Sequence, residues 1–186
     1  MSTSATGYIS TAMGRNTKAI GDYTTAMGHE TTASDYNSLV VGQFNLAGST
    51  VTSSGTEFNL ENTAFVIGNG TQVRQFPDRS DALVVKFNGD ATLAGNLNIN
   101  SDARLKANII SLGSTLSKLL QIDGKSYTMK KDESEKQKIG LLAQDIEKVF
   151  PELVSESHGV KSVNYQGLVP VLINALKEQE LSLIHI

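Results

Sequence analysis

The 186-residue chain has no cysteine and no tryptophan, only 3 prolines and 3 histidines, and 6% aromatic residues. Without cysteine there is no disulfide framework, no thiolate nucleophile and no thiolate metal ligand. The compartment stays open, because cysteine-free proteins occur everywhere. Sixteen Lys+Arg against 19 Asp+Glu leave a net charge of −3. With no basic stripe, nucleic acid is not an expected partner. No apolar run approaches the roughly 18 residues of a membrane-spanning helix. Met1 leads into STSATG, without the charged and apolar regions of a secretory signal. His29 and His158 are isolated, and Glu147 and Glu152 lie on, or just past, the polar side of a helix-patterned stretch. No metal spacing, phosphate loop or carboxylate pair for sugar hydrolysis stands out, so neither metal nor cofactor is expected.

Glycine, threonine, serine and asparagine are plentiful, and the charged residues are unevenly spread. Residues 1–100 carry 5 Lys+Arg and 8 Asp+Glu, whereas residues 101–186 carry 11 of each. Composition alone therefore places a domain boundary near Ser101.

The first half contains a repeat. In sevens from Gly7 it reads GYISTAM, GRNTKAI, GDYTTAM, GHETTAS, DYNSLVV, GQFNLAG. Gly7, Gly14, Gly21, Gly28 and Gly42 head their heptads, with Asp35 substituting once. Ser10, Thr17, Thr24, Thr31 and Ser38 stand three places later, and Ala12, Ala19, Ala26, Ala33, Val40 and Ala47 five places later. A coiled coil wants two large apolar positions and few glycines or threonines. Small residues alternating with polar ones, broken by glycine, predict short strands and tight turns wound into a parallel β-solenoid. The competing account is a disordered low-complexity segment.

These heptads resemble the head repeats of YadA-type trimeric adhesins over roughly residues 1–48. The resemblance implies β-rolls that associate in threes. From 49 to 100 alternating apolar residues (Phe65, Ile67; Leu83, Val85, Phe87) and Asn-Gly pairs at 69–70 and 88–89 predict hairpins of a fibre shaft, with a loop at Pro77 and Asp78.

The second half reads as helices around a short sheet. Residues 112–122 place Leu112, Leu116, Leu119 and Leu120 on one helical face. KSYTM is strand-like, and 130–138 is a charged loop. A second helix carries Leu142, Ile146, Val149 and Phe150 and stops at Pro151; a third begins near Pro170 and points Leu172, Ala175 and Leu176 one way.

SDARLKANI (101–109), IGLLAQDIEKVFPELV and VNYQGLVPVLINALKEQE together resemble the C-terminal intramolecular chaperone of endosialidase-type tailspikes and tail fibres, over roughly residues 101–180. The resemblance implies an α+β, helix-rich domain that helps a β-fibre to form a homotrimer and then cuts the chain at its own start, once. Carried over are Ser101 as nucleophile and Lys106 as general base. A serine hydroxyl needs a neighbour to take its proton, and lysine can do so only as a neutral amine. Burial, or a nearby cation such as Arg104, would favour that form. Two bonds compete: Asn100–Ser101, which we favour, and the bond after Ser101. Asp102, Arg104 and Asn108 match the motif, with structural support as their expected role. The plainer account makes Ser101-Asp102 a helix N-cap and Lys106 a surface side chain.

Both ends look cut. The heptad frame runs back through Thr3 and Ala5, and LSLIHI (181–186) breaks the LKEQE helix pattern and reads like translated transposon adapter, so His185 carries no functional weight. Two functional classes follow. One is the distal end of a virion tail fibre or tailspike, bearing a self-cleaving chaperone and binding a host receptor or glycan through the fibre. The other is a bacterial surface adhesin with a non-cleaving assembly domain. An enzyme acting on external substrates has little support.

Overall fold

The computed structural model describes residues 2–46, 54–130 and 135–184; Met1, Ala47, part of the charged loop (131–134) and His185 lie outside the described residues. The chain divides into two compact units, Met1–Ser101 and Asp102–Ile186.

In the first unit β1 (Ser4–Ala5), β2 (Thr11–Arg15), β3 (Lys18–Ala19), β4 (Thr25–His29), β5 (Thr32–Ala33) and β6 (Leu39–Gln43) alternate short and long. The short strands form one parallel sheet and the long ones another. Partners lie two heptads apart: Ala5 beside Ala19 beside Ala33, and Ala12 beside Ala26 beside Val40. The structural repeat is therefore a coil of two heptads. Ala19, Ala26, Ala33, Val40 and Val66 form its core and are fully buried.

The glycines permit this stacking. Gly28 sits at φ +118, and a Cβ there would lie 1.9 Å from the Gly42 carbonyl oxygen of the next coil. The third place after each heptad's leading residue also has a reason in one set of corners. The Ser10, Thr24 and Ser38 hydroxyls donate to the carbonyls of Gly7, Gly21 and Asp35 at 2.7, 2.7 and 2.8 Å. In the alternate heptads Thr17 and Thr31 are buried and their hydroxyls have no partner. Every seventh residue from Ile9 to Phe44 (Ile9, Asn16, Tyr23, Glu30, Asn37, Phe44) has positive φ. For Ile, Tyr and Phe that conformation is uncommon, so the sequence alone carried no sign of it.

Stacking does not stop at residue 48. Strand β7 (Thr63–Asn69) lies parallel to β6 with Gly68 beside Gly42, so the apolar alternation at Phe65 and Ile67 belongs to another rung. The Asn69–Gly70 pair does not turn a hairpin. The chain runs on into a ribbon of β8 (Thr71–Val73) and β9 (Phe76–Asp78), turning at Arg74 and Gln75, and Pro77 lies in its second strand rather than in a loop. Strand β10 (Asp81–Lys86) returns antiparallel to β7 and pairs with β11 (Ala91–Leu93) around Asn88–Gly89, where the hairpin expectation holds.

The short-strand sheet ends on a side chain. Asn45 occupies the Thr17/Thr31 place in the next coil; its amide accepts from the Thr32 N–H at 2.8 Å and donates to the Thr32 carbonyl at 3.0 Å, as a further strand would. Arg79 covers the same end, donating to the Glu30 carbonyl at 2.9 Å and to its carboxylate at 3.1 Å, 5.9 Å from the centre of the Phe44 ring.

The second unit comprises α1 (Leu116–Leu119), β12 (Lys125–Tyr127), β13 (Lys138–Gly140), α2 (Ala143–Val149), β14 (Val154–Ser157), β15 (Val160–Val163) and α3 (Leu168–Ile184). It is less helical than expected. Gly113 at φ +66 precedes a helix of only four residues, leaving Leu112 and Leu120 52% and 76% exposed. Pro151 opens a 3-10 turn after α2, as its fixed φ allows. The core is Ile146, Phe150, Leu153, Leu168 and Val171. Leu142 is exposed, and α3 buries Leu168, Val171 and Ala175 rather than Leu172 and Leu176. The β14–β15 hairpin was legible but unread: His158-Gly159, both at positive φ, make a two-residue turn between alternating strands.

Candidate cleavage site

Residues 94–102 contain no helix or strand, and every residue from Asn88 to Ser114 is exposed. Asn100 and Ser101 lie in this run; Ser101 closes the first unit, while Lys106 belongs to the second. Asp102 caps the 3-10 turn Ala103–Leu105, its carboxylate accepting from the Arg104 N–H at 2.9 Å. The same carboxylate takes the Arg104 guanidinium through Nε at 3.1 Å to each oxygen and through Nη2 at 2.6 Å. Lys106 follows the turn, its N–H donating to the Ala103 carbonyl at 3.1 Å, and Asn108 has φ +52.

The sequence motif thus folds into a local clamp that brings Asp102 and Arg104 together. The Arg104 side chain, and secondarily its N–H, hold the Asp102 carboxyl below the usual carboxylate range. Asp102 in turn raises the Arg104 guanidinium. Arg104 thus commits its guanidinium to Asp102. Of the pair Ser101-Asp102 it is Asp102 that forms the N-cap, and Lys106 is exposed, as the plainer account has it.

A second cluster, unread in the sequence, fixes the chain after the exposed run. Glu178 on α3 accepts from the Ser114 hydroxyl at 2.6 Å and from the Thr115 N–H at 2.5 Å, capping α1. The buried Thr115 hydroxyl donates to the Val171 carbonyl at 2.9 Å, and Asn174 donates to the Gly113 carbonyl at 3.2 Å. These donors, Ser114 first and then the Thr115 N–H, hold the Glu178 carboxyl below its usual range. The sequence separation of 63 between Thr115 and Glu178 hides the pair from any local pattern. Among the described residues no group of three or more His, Asp or Glu side chains could hold a metal, and no helix is long and apolar enough to cross a membrane.

Fold and junction define a two-part chain: stacked parallel β-coils with an antiparallel extension, then a small α+β unit. Residues 101–155 match the model of the family described as chaperone of endosialidase, and residues 5–31 and 19–45 match that of the YadA head domain repeat. The two copies start two heptads apart, the step of the β-ladder. The chain is also similar to the Long tail fiber protein Gp37 of Salmonella phage S16, 32% identical over 93 residues, covering 45% of this chain and 12% of that protein. With the Long tail fiber protein Gp37 of Escherichia phage AR1 it is 29% identical over 105 residues, covering 52% of this chain and 10% of that protein. The matched parts are therefore about a tenth of the length of these relatives.

Proposed function

We propose that this chain is part of a phage tail fibre, a homotrimeric β-solenoid and shaft whose last domain assists assembly and then releases itself by autoproteolysis. The observation that carries the reading is positional: the chaperone match begins at Ser101, the residue on which the β-rich unit ends. The tail-fibre relatives favour a virion component over a bacterial adhesin. The β-rich unit would reach a receptor or glycan on the host surface.

In this reading Ser101 Oγ attacks the Asn100 carbonyl carbon, and neutral Lys106 takes the hydroxyl proton. The ring formed is five-membered. Attack by the same oxygen on Ser101's own carbonyl would need a strained four-membered ring, so Asn100–Ser101 is the bond that breaks. The Ser101 nitrogen leaves with the proton from Lys106, which leaves an ester between Asn100 and Ser101 Oγ; water hydrolyses that ester to an Asn100 carboxylate and restores the Ser101 hydroxyl beside the freed amine. The serine ends as a new N-terminus with its scissile bond gone, so each chain turns over once. Asp102 and Arg104 support the turn between nucleophile and base. Lys106 is exposed in the single chain, and a neutral amine at working pH needs desolvation, which neighbouring copies would supply on assembly.

Intact mass and native size of the parent, Ser101→Ala and Lys106→Ala test this. Two fragments meeting at Asn100/Ser101 in the parent, one uncut chain in each variant, and a trimer in all three are the expected result. A parent that remains an uncut trimer defeats the autoproteolysis.

A further inference from the structure

Two sets of corners turn the coils, and they are finished differently. At one set the positive-φ residues are Asn16, Glu30 and Phe44. Their side chains engage one another and their surroundings. The Asn16 amide donates to one Glu30 carboxylate oxygen at 2.9 Å, Arg79 takes the other, and Phe44 meets His29 edge to face with ring centres 4.7 Å apart. At the other set Tyr8, Asp22 and Tyr36 stand two heptads apart, each followed by a positive-φ residue: Ile9, Tyr23 and Asn37. The Tyr23 N–H donates to the Tyr8 carbonyl and the Asn37 N–H to the Asp22 carbonyl, both at 2.8 Å, which fixes this edge at the coil spacing. Tyr8, Tyr23 and Tyr36 form a ladder of edge-to-face rings, with centres 5.6 and 5.3 Å apart. Tyr8 is 63% and Tyr23 42% exposed. Among the described residues no group donates to or accepts from the three hydroxyls. The turn itself does not call for these rings. Positive φ is uncommon for a bulky side chain, and Asn37 fills the Tyr23 place one coil on.

We propose that the Tyr8–Tyr23–Tyr36 ladder is a binding track for an uncharged polysaccharide, whose sugar rings lie against the tyrosine rings and whose hydroxyls bond to the phenols and to the Asp22 carboxylate. The inference rests on the reading that the β-rich unit reaches the host surface, and it assigns the site and the class of glycan. A tyrosine ring is apolar on its faces and polar at its tip, the same pairing of C–H faces and hydroxyls that a sugar ring carries. Width decides against a protein partner. Two coil steps make the track about 10 Å long and it is one ring wide, against the roughly 800 Å² per side of a standard protein interface. A single glycan strand matches such a line. Charge decides among the glycans. Of Tyr8, Ile9, Asp22, Tyr23, Tyr36 and Asn37 only Asp22 is charged, so a sialylated or phosphorylated chain meets repulsion and no cation. Nucleic-acid bases also stack on aromatic rings, but their backbone needs a positively charged groove, and no basic residue stands at these places.

With no tryptophan, and with three of the chain's 5 tyrosines in the ladder, tyrosine fluorescence reports on the site directly. The full chain is titrated with uncharged hexasaccharides of glucose, mannose and galactose and with a sialylated hexasaccharide, and affinities are measured by calorimetry. A saturable change with at least one uncharged sugar, and none with the sialylated one, is expected. Tyr23→Asn, which matches Asn37 one coil on, is expected to weaken that binding roughly tenfold or more at an unchanged unfolding temperature. Tyr8→Ser should weaken it independently, and Phe76→Ala on the β8–β9 ribbon should leave it unchanged. Saturable binding that both tyrosine variants retain overturns the ladder as the site and leaves a glycan-reaching fibre standing. Equal affinity for the sialylated sugar overturns the assigned class. No saturable change with any of the four, or ladder-dependent binding to a membrane protein instead, overturns the proposal, while intact mass still decides the assembly reading on its own.

Discussion

In the β-rich unit the fully buried apolar residues are three alanines and two valines, Ala19, Ala26, Ala33, Val40 and Val66; in the second unit the core is Ile146, Phe150, Leu153, Leu168 and Val171. The first unit is held by backbone ladders stacked so closely that side-chain volume is the hazard, and glycine is the requirement. The second is held by side-chain volume in a small α+β core, where a missing methyl group is the hazard.

The sharpest way to break this comparison is a single methyl group in the first unit. Gly28→Ala puts a Cβ at φ +118 and 1.9 Å from a carbonyl oxygen of the next coil. We expect a loss above about 4 kcal/mol, beyond what most point changes cost, seen as loss of the cooperative β-unfolding transition by circular dichroism. Gly89→Ala, at φ +90 with nothing nearby, should lose only about 1 kcal/mol. Equal effects at the two glycines would refute close coil stacking.

The reverse change tests the second unit. Ile146→Ala empties a fully buried site and should lower stability by about 2–5 kcal/mol. Urea titration should show the second unit's transition move while the first unit's stays. A smaller loss is expected from Asn45→Ala, about 1–2 kcal/mol, because two hydrogen bonds closing the short-strand sheet vanish. Hydrogen exchange at the Thr32 amide should report it first.

The smallest effect depends on pH. Glu178 titrates below its usual range in the folded chain, so folding favours its ionised form. Its contribution is fully present above the ordinary glutamate pKa and is lost as pH falls through the lower folded value. Urea midpoints should therefore show the parent losing its advantage over Glu178→Gln on acidification below the ordinary glutamate range. A gap that is constant down to strong acid would contradict the cap on α1.

The heptads made the β-coils legible because glycine and the corner hydroxyls recur as the geometry demands. They concealed the two-heptad coil, because alternate heptads look alike while Gly14, Gly28 and Gly42 have positive φ and Gly7 and Gly21 do not. Asp35 shows the same distinction. At a place without positive φ, its carboxylate turns to accept from the Thr63 N–H at 2.7 Å. Continuation of the stack into β7 was hidden by the intervening segment, which displaces its register from the heptad frame. In the second unit helical periodicity located α2 and α3, but each apolar face was wider than the buried stripe, so Leu142, Leu172 and Leu176 were misassigned. At the junction only folding revealed that Arg104 is engaged by Asp102.

The most direct test of the central claim is the rate at which a fragment beginning at Ser101 appears, followed by intact mass while refolding chain is diluted. If assembly completes the site, the rate falls steeply with dilution and is zero for Ser101→Ala at every concentration. A cleavage rate independent of concentration, or a Ser101→Ala chain cut at the same bond, would contradict it.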